Sequence, residues 1–106
     1  MKIFESVNRL EIHQGLQEFH TVPEALLLDV RTPEEFRAGH IPGSRNLPLQ
    51  ELETAPSVIE HENVPLYLYC RSGNRSAQAA AILRSVGYTN VKDLGGILAY
   101  RGEWES

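Results

Sequence analysis

Two long apolar runs constrain the fold of this chain more than any other feature. One covers Ala25–Val30 and is broken only by Asp29, and the other covers Leu66–Cys70. Neither alternates apolar with polar residues, which is typical of central parallel strands buried on both faces. Helix signals follow each run, and alternating strands and helices predict an α/β domain with a mainly parallel sheet and right-handed crossovers.

Capping and turn residues predict the remaining elements. Thr32-Pro33-Glu34-Glu35 combines a cap, a proline at the first helical position and a capping-box glutamate, so a helix should begin directly after the first run. Before the first run we expect a short strand at Phe4–Val7 and a helix over about residues 8 to 19 that opens with a capping box at Asn8–Glu11. Between the two runs we expect a short strand at Ser44–Leu47 and a helical segment around Leu49–Glu60.

After the second run we expect a helix from Ser76 to a stop at Gly87, a strand at Val91–Asp93 and a terminal helical piece that carries Trp104. The helix from Ser76 should bury one face, made by Ala79, Ile82, Leu83 and Val86.

Length and charge exclude several classes of protein. The 106 residues suit one domain spanning residues 1–106. A formal charge of −4 argues against a nucleic-acid partner, because such domains normally carry a net basic face. The N-terminus has no apolar stretch of signal-peptide length, and the longest purely apolar run, Ala79–Leu83, is too short to span a bilayer. We therefore expect a soluble protein without a membrane partner.

The cysteine and histidine content bears on compartment and cofactors. The single cysteine, Cys70, cannot close an intramolecular disulfide, and a free thiol fits a reducing compartment, so we expect a cytoplasmic protein. The four histidines are scattered and lack the spacing of paired metal ligands. We expect no metal and no cofactor.

The segment after the second apolar run has the composition of an anion pocket built around a sulfur nucleophile. Cys70 ends the predicted strand, a short cationic turn follows, and a helix begins. Backbone N–H groups of the turn and of the first helical turn should point at the cysteine sulfur, and two arginines add permanent charge, so the thiolate is favoured over the thiol. The candidate catalytic residue is Cys70, and the candidate substrate-binding residues are Arg71, Ser72, Gly73, Asn74, Arg75 and Ser76.

These residues, taken with others along the chain, resemble the rhodanese family of sulfurtransferases in its small single-domain form. The motifs that carry the resemblance occur in the family's order over about Phe4 to Trp104: Leu27-Leu28-Asp29-Val30-Arg31, Glu34-Glu35-Phe36, Gly39-His40-Ile41-Pro42-Gly43-Ser44, the cysteine loop at residues 70–76, Gly95-Gly96 and the distal Trp104. The resemblance implies a three-layer fold with helices on both faces of the sheet.

The resemblance also implies a reaction. In this family a cysteine accepts the outer sulfur of thiosulfate, releases sulfite, holds the sulfur as a persulfide and passes it to a thiol or to cyanide. The expected donors are thiosulfate or a persulfide, and the expected acceptors are thioredoxin, glutathione or cyanide. Such a covalent transfer in two steps needs no general base, which agrees with the lack of a histidine beside Cys70 in the sequence.

Two other functions remain open at this point. A non-catalytic rhodanese-type binding module is one, although such modules often lack the cysteine that this chain keeps. A cysteine phosphatase or arsenate reductase is the other. Cysteine phosphatases place five residues between the cysteine and the arginine of their loop, whereas four residues lie between Cys70 and Arg75 in this chain. The histidine that typically precedes the cysteine in that class is replaced here by Tyr69. The shorter loop should fit a terminal sulfur better than a phosphoryl group.

Five further residues are assigned supporting roles. Asp29 and Arg31 lie at the end of the first central strand and are expected to orient the cysteine loop by hydrogen bonds. A direct part in the reaction is not expected, because a carboxylate beside the nucleophile would disfavour the thiolate. His40 is expected to pack and hydrogen-bond rather than to catalyse. Tyr100 and Trp104 are expected to cover the core, and Trp104 is a candidate for a wall of the pocket.

Overall fold

The computed structural model describes residues 10–106. The strand expected at Phe4–Val7 and the first two residues of the expected capping box lie outside this range. The described elements, in chain order, are α1 (Ile12–Thr21), β1 (Leu26–Asp29), α2 (Pro33–Ala38), β2 (Ser44–Asn46), a 3₁₀ helix (Leu49–Thr54), α3 (Ala55–Val58), β3 (Leu66–Cys70), α4 (Asn74–Ser85), β4 (Val91–Gly96) and a second 3₁₀ helix (Ile97–Ala99).

The two apolar runs form the centre of a parallel sheet, as predicted. Within the described residues the strand order is β2-β1-β3-β4, and each neighbouring pair is parallel. Leu28 of β1 lies opposite Leu68 of β3. All five residues of β3 are buried, which explains why that run carries no polar alternation.

Helices cover both faces of this sheet, so the predicted three-layer arrangement is confirmed. On one face, Leu28 and Leu68 pack in a core that includes Leu83 of α4. On the other face, Tyr67 packs in a core that includes Leu16 of α1. Because successive side chains of a strand point to opposite faces, one short strand supplies both cores.

The first helix begins later than predicted. α1 starts at Ile12, and the side chain of Glu11 caps it by accepting hydrogen bonds from the backbone N–H groups of His13 and Gln14. Leu10 is not helical, since its N–H donates to the carbonyl of Asp93 in β4 at 3.0 Å. The prediction that the helix begins at about residue 8 is therefore wrong at Leu10, which pairs with β4 instead.

The apolar face of α4 also differs from the prediction. Ala79 and Leu83 are buried as expected, but Ile82 is 43% exposed and Val86 is 61% exposed. The buried face is made by Ser76, Ala79, Ala80 and Leu83, whose mostly small side chains let the helix lie close to the sheet. Ile82 and Val86 instead line a groove between α4 and the segment at 49–62.

The C-terminal segment is less helical than predicted. The last helical residues are Ile97–Ala99, and Trp104 lies beyond them with 51% of its surface exposed. Tyr100 packs against the core on the α1 face, as expected, whereas Trp104 lies against Gly39, where an added Cβ would be 2.8 Å from the indole ring. Trp104 therefore covers the turn after α2 rather than the core.

Candidate active site

Cys70 lies at the carboxyl end of β3, and the loop that follows leads into α4 at Asn74. Gly73 makes this tight connection possible with a φ of 111°, in the left-handed region that favours glycine. The strand-loop-helix layout predicted from the sequence is thus present. In parallel α/β sheets the carboxyl ends of the strands are where ligands bind.

The sulfur of Cys70 lies inside the curve of its own loop. The backbone N–H of Gly73 donates to Sγ at 3.0 Å, and Oγ of Ser76 lies 3.5 Å from Sγ. Oγ of Ser76 is also 3.2 Å from the carbonyl of Gly73 and 3.4 Å from that of Gly95. Cys70 is 1% exposed and Ser76 is fully buried, so these contacts are shielded from water. The N–H of Gly73 and the hydroxyl group of Ser76 therefore both lie against the sulfur.

The end of β4 and the 3₁₀ helix that follows it support the cysteine loop. The carbonyl of Arg71 accepts a hydrogen bond from the N–H of Leu98, at 3.2 Å. Gly96 lies beside Cys70 in the sheet, and a Cβ added to it would sit 2.4 Å from the carbonyl oxygen of Arg71. The Gly95-Gly96 pair of the sequence motif thus permits a close approach of two backbones.

Arg75 is held by α2, an arrangement that the sequence did not indicate. Its guanidinium forms a bidentate ion pair with Glu35, with N–O distances of 2.6 and 2.9 Å. Arg75 holds the pKa of the Glu35 carboxyl at about 2, with help from hydrogen bonds to Thr32. Glu35 was predicted only as a capping residue, and it also joins α2 to the first turn of α4. Of the two arginine charges expected in the loop, that of Arg75 is therefore balanced by Glu35.

The remaining loop residues face solvent. Arg71, Ser72 and Asn74 are exposed. Within the described part of the chain, Arg71 forms no ion pair, so its guanidinium is the uncompensated positive charge of the loop.

Asp29 and Arg31 form a buried ion pair at the end of β1. Nη2 of Arg31 lies 2.6 Å from Oδ2 of Asp29, and the same nitrogen donates to the carbonyl of Gly39 at 2.7 Å. Arg31 also lies over the ring of Tyr69, and Tyr69 accepts a hydrogen bond from the N–H of Ile41. Burial and the charge of Asp29 raise the pKa of Tyr69. These contacts anchor the turn after α2, and that helix in turn holds Arg75 through Glu35.

His40 packs and hydrogen-bonds, as predicted. Its ring stacks on Phe36 with centroids 3.7 Å apart, and Nδ1 lies 2.8 Å from the carbonyl of Phe36. Its backbone also pairs with Glu105, which ties down the segment that carries Trp104. In residues 10–106, no group of three His, Cys, Asp or Glu side chains is arranged to hold a metal ion, and no helix is long and apolar enough to cross a membrane.

Comparison with known proteins decides the family. The family model of the rhodanese-like domain matches residues 11–103. The chain belongs to the rhodanese-like family. The match includes the buried ion pair, Glu35, the whole cysteine loop and Gly96.

Rhodanese-like relatives are similar to most of the chain. An uncharacterized protein of Bacillus subtilis, YqhL, is 45% identical over 95 residues, which cover 90% of this chain and 70% of the relative. A human thiosulfate:glutathione sulfurtransferase is 40% identical, covering 76% of this chain and 78% of its own. The solved structure of an Escherichia coli rhodanese with anions superimposes with a TM-score of 0.72 at 32% identity, covering 77% of this chain and 98% of that one. The predicted family and fold are therefore confirmed.

Proposed function

We propose that this protein is a sulfurtransferase that moves sulfane sulfur from thiosulfate or a persulfide donor to a thiol or cyanide acceptor through a persulfide on Cys70. Rhodanese-like membership and the similarity to a thiosulfate:glutathione sulfurtransferase support the class of reaction. The observation that carries the proposal is the N–H of Gly73 aimed at a shielded Sγ at 3.0 Å.

The first step is a displacement at sulfur. The Cys70 thiolate attacks the outer sulfur of thiosulfate, a new S–S bond forms, and the bond to the sulfonate sulfur breaks. Sulfite leaves with the electron pair of that bond, and Cys70 carries a persulfide with a negative terminal sulfur. In the second step an acceptor thiolate or cyanide attacks that terminal sulfur and Cys70 leaves as thiolate. No net oxidant or reductant is consumed.

The loop favours both anionic states of Cys70. Preorganised N–H donors stabilise negative charge without reorganising during the reaction. Gly73 supplies such a donor directly, and Ser76 supplies a hydroxyl whose single proton can turn towards the thiolate. The exposed guanidinium of Arg71 is placed to attract an anionic donor, with Ser72 and Asn74 beside it on the open side.

The roles of the other predicted residues follow from their contacts. Arg75 remains in the proposed site as a member of an ion pair rather than as a free charge. Asp29 and Arg31 contribute indirectly, because their ion pair fixes the turn at Gly39. Thioredoxin and glutathione are the proposed thiol acceptors, and the free cysteine suits a reducing cytoplasm.

A thiosulfate:cyanide assay tests this function. The wild-type protein should produce thiocyanate with ping-pong kinetics, and Cys70→Ser should abolish production while circular dichroism stays unchanged. Thiocyanate formation by Cys70→Ser at a rate near that of the wild type would refute Cys70 as the nucleophile. Absence of turnover by the wild type with thiosulfate and with glutathione persulfide would favour the non-catalytic binding module.

A further inference from the structure

The cysteine loop carries two arginines, and one of them is paired with a carboxylate from another helix. Arg75 lies two residues after Gly73 and directly before Ser76, and each of its terminal nitrogens donates to one oxygen of Glu35. The pKa of the Arg75 guanidinium is raised, first by these hydrogen bonds and to a smaller extent by the charge of Glu35 and of Cys70. Arg75 directly precedes Ser76, whose Oγ lies 3.5 Å from Sγ of Cys70, so the pair of Arg75 and Glu35 lies beside the cysteine loop.

Glu35 is locked in this position by its own helix. Its Oε1 accepts hydrogen bonds from the backbone N–H of Thr32 at 3.0 Å and from the hydroxyl of Thr32 at 3.1 Å. The carboxylate belongs to the capping box of α2, so it does not swing away from Arg75 without losing that cap. The pair therefore presents almost no net charge, and Arg71 remains the one uncompensated cation of the loop in the described part of the chain.

We propose that Glu35 is a specificity-determining residue that limits the attraction of the Cys70 site for doubly charged donors. By neutralising Arg75, it biases the site towards neutral or singly charged sulfur donors, such as the persulfide of a thiol, and against a small dianion such as thiosulfate. This proposal rests on the proposed sulfur transfer, and it adds the class of donor for which the site is tuned.

The substitution Glu35→Gln removes the charge and keeps most of the geometry. The glutamine oxygen can replace Oε1, which accepts from Thr32 and from Nη1 of Arg75, whereas the bond from Nη2 to Oε2 is lost. Without the carboxylate of Glu35, the positive charge of Arg75 is no longer neutralised, and it attracts an anion more strongly than a neutral molecule. Removing this acidic residue should therefore improve reaction with anions, whereas loss of a purely structural ion pair would impair all reagents alike.

Alkylation of Cys70 tests the charge effect without relying on sulfur transfer. Iodoacetate and iodoacetamide are similar in size and alkylate sulfur by the same displacement of iodide. They differ in charge, because iodoacetate is an anion and iodoacetamide is neutral. We expect Glu35→Gln to raise the ratio of the two alkylation rates about fivefold. Glu34→Gln is the matched control, because it removes the same charge from an exposed neighbour on α2 and should change the ratio by less than about twofold.

The opposite substitution keeps the test decisive if Glu35→Gln does not fold. Arg75→Gln leaves the Glu35 carboxylate uncompensated, so the iodoacetate to iodoacetamide ratio should fall below that of the wild type. An unchanged or lowered ratio in folded Glu35→Gln, equal effects of Glu35→Gln and Glu34→Gln, or a raised ratio in Arg75→Gln would overturn the proposal.

Turnover then relates the charge effect to sulfur donors. Glu35→Gln should raise kcat/KM for thiosulfate several-fold relative to that for the persulfide of 2-mercaptoethanol, which carries at most one negative charge. If the wild type transfers sulfur from neither donor while the alkylation ratios behave as expected, the proposed function fails and the charge control by Glu35 stands. If turnover is normal and the ratios do not move, sulfur transfer stands and the role of Glu35 fails.

Discussion

The backbone of Gly96 lies directly against the backbone of Arg71, so that a single added Cβ would stand 2.4 Å from the Arg71 carbonyl oxygen and 2.7 Å from Cα of Ser72. Real Cβ atoms do not approach backbone atoms so closely. The position of the cysteine loop therefore depends on the absence of a side chain at the end of the neighbouring strand.

Gly96→Ala should displace the loop and impair Cys70 while most of the fold persists. We expect kcat/KM for thiosulfate to fall by at least about tenfold, because shifts of about 1 Å at a reacting group have effects of this size or larger. Gly15→Ala is the matched control, since its Cβ meets the side chain of Leu94 in the core on the α1 face. That variant should lower the melting temperature without changing activity per folded molecule, and equal kinetic losses in both variants would contradict a specific role for Gly96.

Ser76→Ala should weaken the thiolate state of Cys70. In the thiol form Sγ donates to Oγ of Ser76 at 3.5 Å, and in the thiolate form the hydroxyl proton can turn to the sulfur. The variant removes this donor, and a hydrogen bond to a charged group contributes on the order of 2 kcal/mol. We expect iodoacetamide to alkylate Cys70 several-fold more slowly at about pH 6, with a smaller effect at about pH 9, where most thiols are ionised. Ser85→Ala on the exposed side of the same helix is the control. A uniform slowing at both pH values would indicate a steric effect instead.

The ion pair between Glu35 and Arg75 should make folding stability depend on pH. The pKa of Glu35 is about 2 in the folded protein, below its ordinary value, so the unfolded chain takes up the proton first as the solution is acidified. Its stabilising contribution is thus complete above the ordinary value and is lost as the pH falls through about 2.

Urea unfolding of the wild type and Glu35→Gln measures this contribution. The wild type should be more stable by on the order of 1 kcal/mol at about pH 7, after allowance for solvent screening of the half-buried pair, and the difference should shrink towards about pH 2. Glu34→Gln should show a smaller difference. A gap between wild type and Glu35→Gln that is constant with pH would contradict the ion-pair explanation.

The fold was largely predictable because its signals are local. The uninterrupted run Leu66–Cys70 identified a buried parallel strand, and Thr32-Pro33 with Glu35 identified the start of α2. The errors occurred where tertiary contacts determine the bounds of a helix or the face that it buries. Leu10 bonds to Asp93 of β4 instead of extending α1, and the packing of small residues turned Ile82 and Val86 of α4 away from the sheet.

The candidate site was predictable in its loop but not in its charge balance. Cys70, Gly73 and Ser76 lie three residues apart in one short loop, so local spacing brings the groups of Gly73 and Ser76 to the sulfur of Cys70. The partner of Arg75 is Glu35, which lies forty residues away in sequence on another helix. A capping-box glutamate gives no local sign of such a partner, because its pairing depends on how α2 packs beside α4.

The length of the cysteine loop predicts which chemistry the site avoids. Four residues separate Cys70 from Arg75, and that arginine is already paired with Glu35, so few donors remain for the oxygens of a phosphoryl group. We expect no measurable hydrolysis of p-nitrophenyl phosphate under conditions that support sulfur transfer. Phosphatase turnover comparable to sulfur transfer, and lost in Cys70→Ser, would reverse the choice between the two reactions.

Intact-mass spectrometry after exposure to thiosulfate tests the central claim most directly. The wild-type protein should gain the mass of one sulfur atom, a fragment containing Cys70 should carry it, and cyanide or a thiol should remove it. Cys70→Ser should keep its original mass under the same treatment. A wild-type protein that gains no sulfur from thiosulfate or from a persulfide donor, or that carries the added sulfur on a fragment without Cys70, would contradict a Cys70 persulfide as the intermediate.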